Sequence, residues 1–242
     1  MATGISGWMS PTTGCALDPP RSRTLLLAID TATRFAGIAL YDRNGLLVEQ
    51  MWRTRDNHTV ELMPYIVHAC EQQQLVPGAL QAIGVSLGPG SFTGVRVGLS
   101  VAKGLAMALN IPLLGVPTLD AAAYAHSRET LPVRSVLPAG RGRWCSALYQ
   151  TIGGKWQRLS DYSLIDSDEL ATSLTEPTLI CGEVDTNLAE DLRESNPENA
   201  IVAGPALRAR RPGFVAELAW ERFVSGGRDD LTSLAPIYLQ AA

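Results

Sequence analysis

Residues 24–53 read TLLLAIDTATRFAGIALYDRNGLLVEQMWR, and their patterning decides the fold. TLLLAID is a continuous apolar run of strand length ending in an acid, as expected of a strand covered on both faces. FAGIALY, residues 35–41, reads as a second strand. Asp42-Arg43-Asn44-Gly45 supplies turn chemistry, and LLVEQMWR completes a three-stranded antiparallel meander. The period then changes. Over 59–75, Leu62, Met63, Ile66, Val67, Ala69 and Cys70 recur at three- and four-residue spacing, giving a helix with a broad apolar stripe. Thr59 is placed to cap it, and Pro64 is tolerable only near its first turn. AIGVSLG, residues 82–88, is the next strand, and GPGSFTG leads into a helix over 92–109. The order βββαβα predicts an α/β protein with a mixed sheet.

In that second helix Gly94, Gly98, Ala102 and Ala106 recur every four residues, beside a parallel row of Ser100, Gly104 and Ala108. Each helical glycine costs about 1 kcal/mol relative to alanine, so close approach of another backbone is the expected compensation. The approaching element is either the chain's own sheet or first helix, or a partner's helix; ridge packing does not distinguish them. A short helix near 118–126 precedes Leu131-Pro132, a plausible boundary. Beyond it VRSVLPA, WCSALYQTI, KWQRLS and TLIC read as strands, with helices near 167–174, 185–195 and 213–225. The expected division is an extension without structure over 1–23, an N-terminal domain over 24–129 and a smaller one over 130–242.

The 242 residues are 46% apolar and 18% charged, within the globular range. A net charge of −4 disfavours a long nucleic-acid strand as direct ligand, and Arg208, Arg210 and Arg211 read as a solvated loop. Cys15, Cys70, Cys145 and Cys181 have no paired spacing, which argues against zinc or disulfides and for a reduced, cytoplasmic protein. Residues 1–23 lack the basic start and apolar stretch of a signal peptide, and no run is expected to span a bilayer.

Two strand-to-loop turns are candidate phosphate sites: one built on Asp30 and Thr31, the other on Gly88, Gly90 and Ser91 just before a helix. The second is neither a Walker A loop nor G-x-G-x-x-G, since Thr93 takes the third glycine position. Its alternative reading is a tight turn with Ser91 or Thr93 as helix cap. Asp30 is the best single candidate acid, but the favoured reading is a structural carboxylate accepting turn N–H bonds. His58, His68 and His126 have no ligand-spaced neighbours, and His58 reads as surface or interface.

LLLAIDTAT, the His-Thr pair before the first helix and above all GPGSFTGVRVG with the following GLA closely resemble the TsaB family, also called YeaZ, and PIYL at 236–239 matches again near the C-terminus. The resemblance implies a duplicated actin-like, sugar-kinase-like (ASKHA) fold. It also implies membership of the complex that makes threonylcarbamoyladenosine in tRNA. TsaD is the catalytic paralogue there, TsaB-like chains are its dimerization partner and TsaE is an ATPase; tRNA is met only through the complex, and a homodimer forms when the partner is absent. Where the catalytic paralogue has a metal-binding H-x-x-x-H, this chain holds Thr118 and Ala122, so no metal or cofactor is expected. Where the family usually has Asp-Ala-Arg, it has Ala139-Gly140-Arg141. The expected partner surface comprises His58, Leu62, Ile66, Ala69, Gly94, Val97, Gly98, Val101, Ala102 and Leu105. The rivals are an actin-like ATPase or small-molecule kinase using Asp30, a metallopeptidase, and a direct tRNA-binding module.

Overall fold

The structure, a computed structural model, describes residues 24–54 and 57–239; the expected extension over 1–23 lies outside them. The first sheet is built from β1 (Leu25–Asp30), β2 (Phe35–Asp42), β3 (Gly45–Arg53), β4 (Leu80–Ser86) and β5 (Leu113–Val116), in the order β3-β2-β1-β4-β5. The β1, β2 and β3 strands are antiparallel neighbours, whereas β4 and β5 run parallel to β1. The second sheet uses β6 (Val133–Gly140), β7 (Arg143–Ile152), β8 (Lys155–Arg158), β10 (Thr178–Gly182) and β11 (Ala200–Val202), with β9 (Ser163–Asp166) added alongside β7. Read from β8, its order is β8-β7-β6-β10-β11, again a three-stranded antiparallel meander followed by two strands parallel to the first. The two halves therefore repeat one topology, the duplication expected of the actin-like class.

All six β1 residues are buried, and strand alternation explains why. Leu25, Leu27 and Ile29 face α1 (His58–Gln72) and α2 (Phe92–Leu109), while Leu26 and Ala28 face α6 (Pro212–Val224). Sequence order and packing part company at two helices. The α3 helix (Thr118–Tyr124) precedes the expected boundary at 129/130, yet its Leu119 and Ala123 pack on the second sheet. The α6 helix follows it, yet Val215, Ala216 and Ala219 cover the first sheet. An apolar stripe says that a helix needs a sheet and not which of two it will find. The outer face of the second sheet is covered by α4 (Ser167–Thr172) and α5 (Thr186–Ser195).

Several local expectations shift. Thr59 does not cap α1: the helix begins at His58, and the N-cap is Asn57, without a side-chain cap bond. Pro64 sits beyond the first turn but on the exposed side, so the carbonyl it leaves unbonded can face water. The strands β9 and β11, of four and three residues, were not anticipated. The α2 helix does reach the length and mean hydropathy, 1.3, of a membrane span. In this fold Val95, Leu99, Ala102 and Ala106 are buried on its inward side instead.

Candidate functional site

The two candidate phosphate turns meet. The 30–33 turn leaves β1, and the 88–94 loop, which contains a cis Gly88–Pro89 bond, lies directly against it. Ser91 N donates to Ala32 O at 2.6 Å, and Thr31 Oγ1 donates to Gly94 O at 2.7 Å. A Cβ at Gly90 would come within 2.2 Å of Ala32 O, and one at Gly94 within 2.2 Å of Thr31 O. The glycines thus admit carbonyl oxygens, which would repel a phosphate. Ser91 is the α2 N-cap, accepting from Gly94 N at 3.2 Å. Gly88 is covered from the other side by the C-terminal segment, where Ile237 N donates to Leu87 O.

Asp30 is buried and committed. Its Oδ1 accepts the Ala32 N–H at 3.0 Å, the turn role weighed for it, and both carboxylate oxygens lie within 3.2 Å of Arg210 Nη1. Arg210 was read as part of a solvated run; it is 6% exposed. Burial pulls its guanidinium pKa down, but the Asp30 and Glu183 charges and their hydrogen bonds outweigh this, leaving it above the ordinary arginine value. Its neighbours are also engaged, with Arg208 Nε donating to Ala203 O and Arg211 paired with Glu49. The expectation of a solvated loop holds for Arg211, which stays exposed, and fails for Arg210, which is buried because its acceptors lie on distant parts of the chain.

The small-residue ridge resolves the same way. A Cβ at Gly98 would sit 2.2 Å from Thr31 Oγ1 and 3.5 Å from Ile29 Cγ2, so the Gly94, Gly98, Ala102 and Ala106 row faces the chain's own sheet. Of the expected partner residues, Leu62, Ile66, Ala69, Gly94, Gly98 and Ala102 are buried within the chain, and so is His58, at 4% exposure. That placement corrects the surface reading of His58. Val97, Val101 and Leu105 remain half-buried. The outward row is Ser100, Gly104 and Ala108, with nothing within 4 Å of a Cβ built on Gly104.

Around that row the outer sides of α1 and α2, which pack against each other, leave large apolar groups in solvent. Val60 is 70% exposed, Met63 37%, Val67 49% and Met107 69%. At one end Arg96 lies 3.6 Å over the Phe92 ring and donates from Nε to Tyr238 Oη at 2.8 Å. The helix α1 is held to β3 by Trp52, which stacks on Tyr65 and donates to Glu61 Oε2.

Two further places bear on chemistry. Thr118 and Ala122 are buried, and neither side chain is a metal ligand of imidazole strength. Among the described residues no three His, Cys, Asp or Glu side chains form a group that could hold a metal ion. A depression of about 440 Å³ beside β5 is lined by Pro117, Asp120, Trp156 and Arg158 among others. Asp120, not singled out in the sequence, accepts from both Tyr149 and Tyr162 there.

A family model described as TsaD, tRNA N6-adenosine threonylcarbamoyltransferase, matches residues 53–184. The tRNA threonylcarbamoyladenosine biosynthesis protein TsaB of Bacillus subtilis is 31% identical over 90% of this chain and 94% of its own length. The protein of the same name from Escherichia coli is 32% identical over 52% of this chain and 54% of its own. YeaZ from Pseudomonas aeruginosa superposes with a TM-score of 0.73 at 24% identity, covering 89% of this chain and all of that one.

Proposed function

The chain belongs to the TsaB family, and from that premise we propose that it serves tRNA threonylcarbamoyladenosine biosynthesis as a non-catalytic pairing subunit for a TsaD-like transferase. The observation that carries this reading is the outer face of α1 and α2. Val60, Met63, Val67 and Met107 stand in solvent on two adjacent helices, beside a Gly104 that leaves room for another backbone. Such apolar clustering on a folded chain marks an interaction surface. A matching helix pair of a paralogue fits it, and the TsaD family match over 53–184 covers both helices. The interface proposed here differs from the one expected from sequence: the residues are those pointing outward, with Val97, Val101 and Leu105 at its inner margin.

A non-catalytic role is supported by the commitment of Asp30 to Arg210 and of the 88–94 loop to the 30–33 turn. A TsaE-like ATPase and tRNA join through the complex, in the cytoplasm, and the same face admits a homodimer of this chain. Reconstituted tRNA modification with the TsaD-like and TsaE-like proteins of the same genome tests this. Omission of the chain should abolish modification and its return restore it; full modification without it would refute the proposal.

A further inference from the structure

The side chain of Arg210 ties together elements that are far apart in sequence. It comes from the segment entering α6 and reaches the junction of the two sheets. Its Nε donates to Glu183 Oε1 at 2.8 Å, just past the end of β10. Its Nη1 pairs with Asp30 Oδ2 at 3.1 Å, at the end of β1. Its Nη2 donates to Thr33 Oγ1 at 3.1 Å and to the Phe35 carbonyl at 2.9 Å. Thr33 Oγ1 in turn donates to Glu183, so the acceptors are themselves connected. The side chains of Arg210, Asp30 and Glu183 are only 3%, 4% and 10% exposed.

We infer that Asp30, Glu183, Thr33 and the Phe35 carbonyl form a guanidinium receptor between the two sheets, which Arg210 fills in cis to latch the lobes together. All three guanidinium nitrogens are used, and the acceptors are spread around the planar fork, an arrangement a lysine ammonium cannot reproduce. The two carboxylates exceed the one cation, so the receptor selects a planar cation and opposes a phosphate. Any anion entering this cleft would have to displace Arg210 and strand two buried carboxylates. The lobes are thereby held in one arrangement by the chain itself, without a ligand to close them.

Chemical rescue tests the receptor. Replacing Arg210→Gly empties it without altering any residue of either sheet, since Arg210 lies outside the strands. The variant should melt lower than wild type. Its amides at Ala32 and Phe35, bonded to Asp30 Oδ1 and Thr33 Oγ1, should exchange about tenfold faster or more while β4 amides keep their protection. Millimolar ethylguanidinium should restore both readouts, and ethylammonium at equal ionic strength should not. Unchanged local exchange, failure of ethylguanidinium, or equal rescue by ethylammonium would each overturn the inference. Should Arg210→Gly not fold, Arg210→Lys serves: it keeps the charge and loses the fork, and wild-type protection of Ala32 and Phe35 in it would overturn the receptor.

Discussion

Two glycines six residues apart on one helix should respond to alanine with opposite signs, Gly98→Ala and Gly104→Ala. At Gly98 the added methyl would lie 2.2 Å from Thr31 Oγ1 and 3.4 Å from Thr31 Cβ. Thr31 must move, and its hydrogen bond to Gly94 O goes with it, a loss of about 1 kcal/mol. Overpacking adds roughly 1–3 kcal/mol, and the gain in helix propensity returns about 1 kcal/mol. The net effect is a loss of roughly 1–3 kcal/mol. At Gly104 nothing lies within 4 Å, so only the propensity gain of about 1 kcal/mol remains. For a chain of this length that gain raises the melting midpoint by roughly 2–4 °C. Urea titrations followed by circular dichroism give both free energies by linear extrapolation. A Gly98→Ala chain as stable as wild type would show that the Gly94–Ala106 row does not bear on the chain's own sheet, and the reasoning would fall.

Other outcomes follow from burial. Leu62 is fully buried between α1 and the first sheet, so Leu62→Ala should cost about 2–5 kcal/mol in the same titration; a loss under half a unit would contradict that packing. Burial lowers the His126 pKa, with the Glu129 charge opposing it. The unfolded chain takes up the proton first, at about pH 6.5. The stability contributed by the neutral ring is therefore complete above that pH and declines as pH falls through it towards the folded value. A His126→Gln chain should show a shallower loss over this window, and parallel curves would refute the assignment. Burial pushes the Cys145 thiol up to about 11 and Cys181 up to about 12. Neither should react with an aromatic disulfide reagent in the native chain near neutral pH, whereas both should react after denaturation; native labelling would contradict their burial.

Much of the fold was legible because β1 announces itself: an uninterrupted apolar run is what burial on two faces requires. The meander after it and the two following helices were readable from changes of period. The missed Ser163–Asp166 and Ala200–Val202 strands are segments too short to carry a period, whereas the start of α1 at His58 differs because periodicity locates a helix and not its first residue. The packing of α3 and α6 on the opposite sheets is tertiary information that no amphipathic stripe contains. At the site, Asp30 and the 88–94 loop were found, but their mutual contact was not. Arg210 was missed because its partner Asp30 is 180 residues away, and three nearby arginines look like solvated charge when only neighbours in sequence are considered. The orientation of the glycine ridge was open for a related reason: four-residue spacing defines a row and leaves unstated which way it faces.

On the proposed function, the outward faces of α1 and α2 pair with a TsaD-like protein. The most direct test is size-exclusion chromatography with light scattering on that protein mixed with the wild-type chain or with a Met63→Asp, Met107→Asp double variant. Both positions are exposed, so circular dichroism should show the variant folded. Wild type should form a one-to-one complex, and the variant should elute as separate species. A complex that survives both charges with unchanged stoichiometry would contradict this pairing.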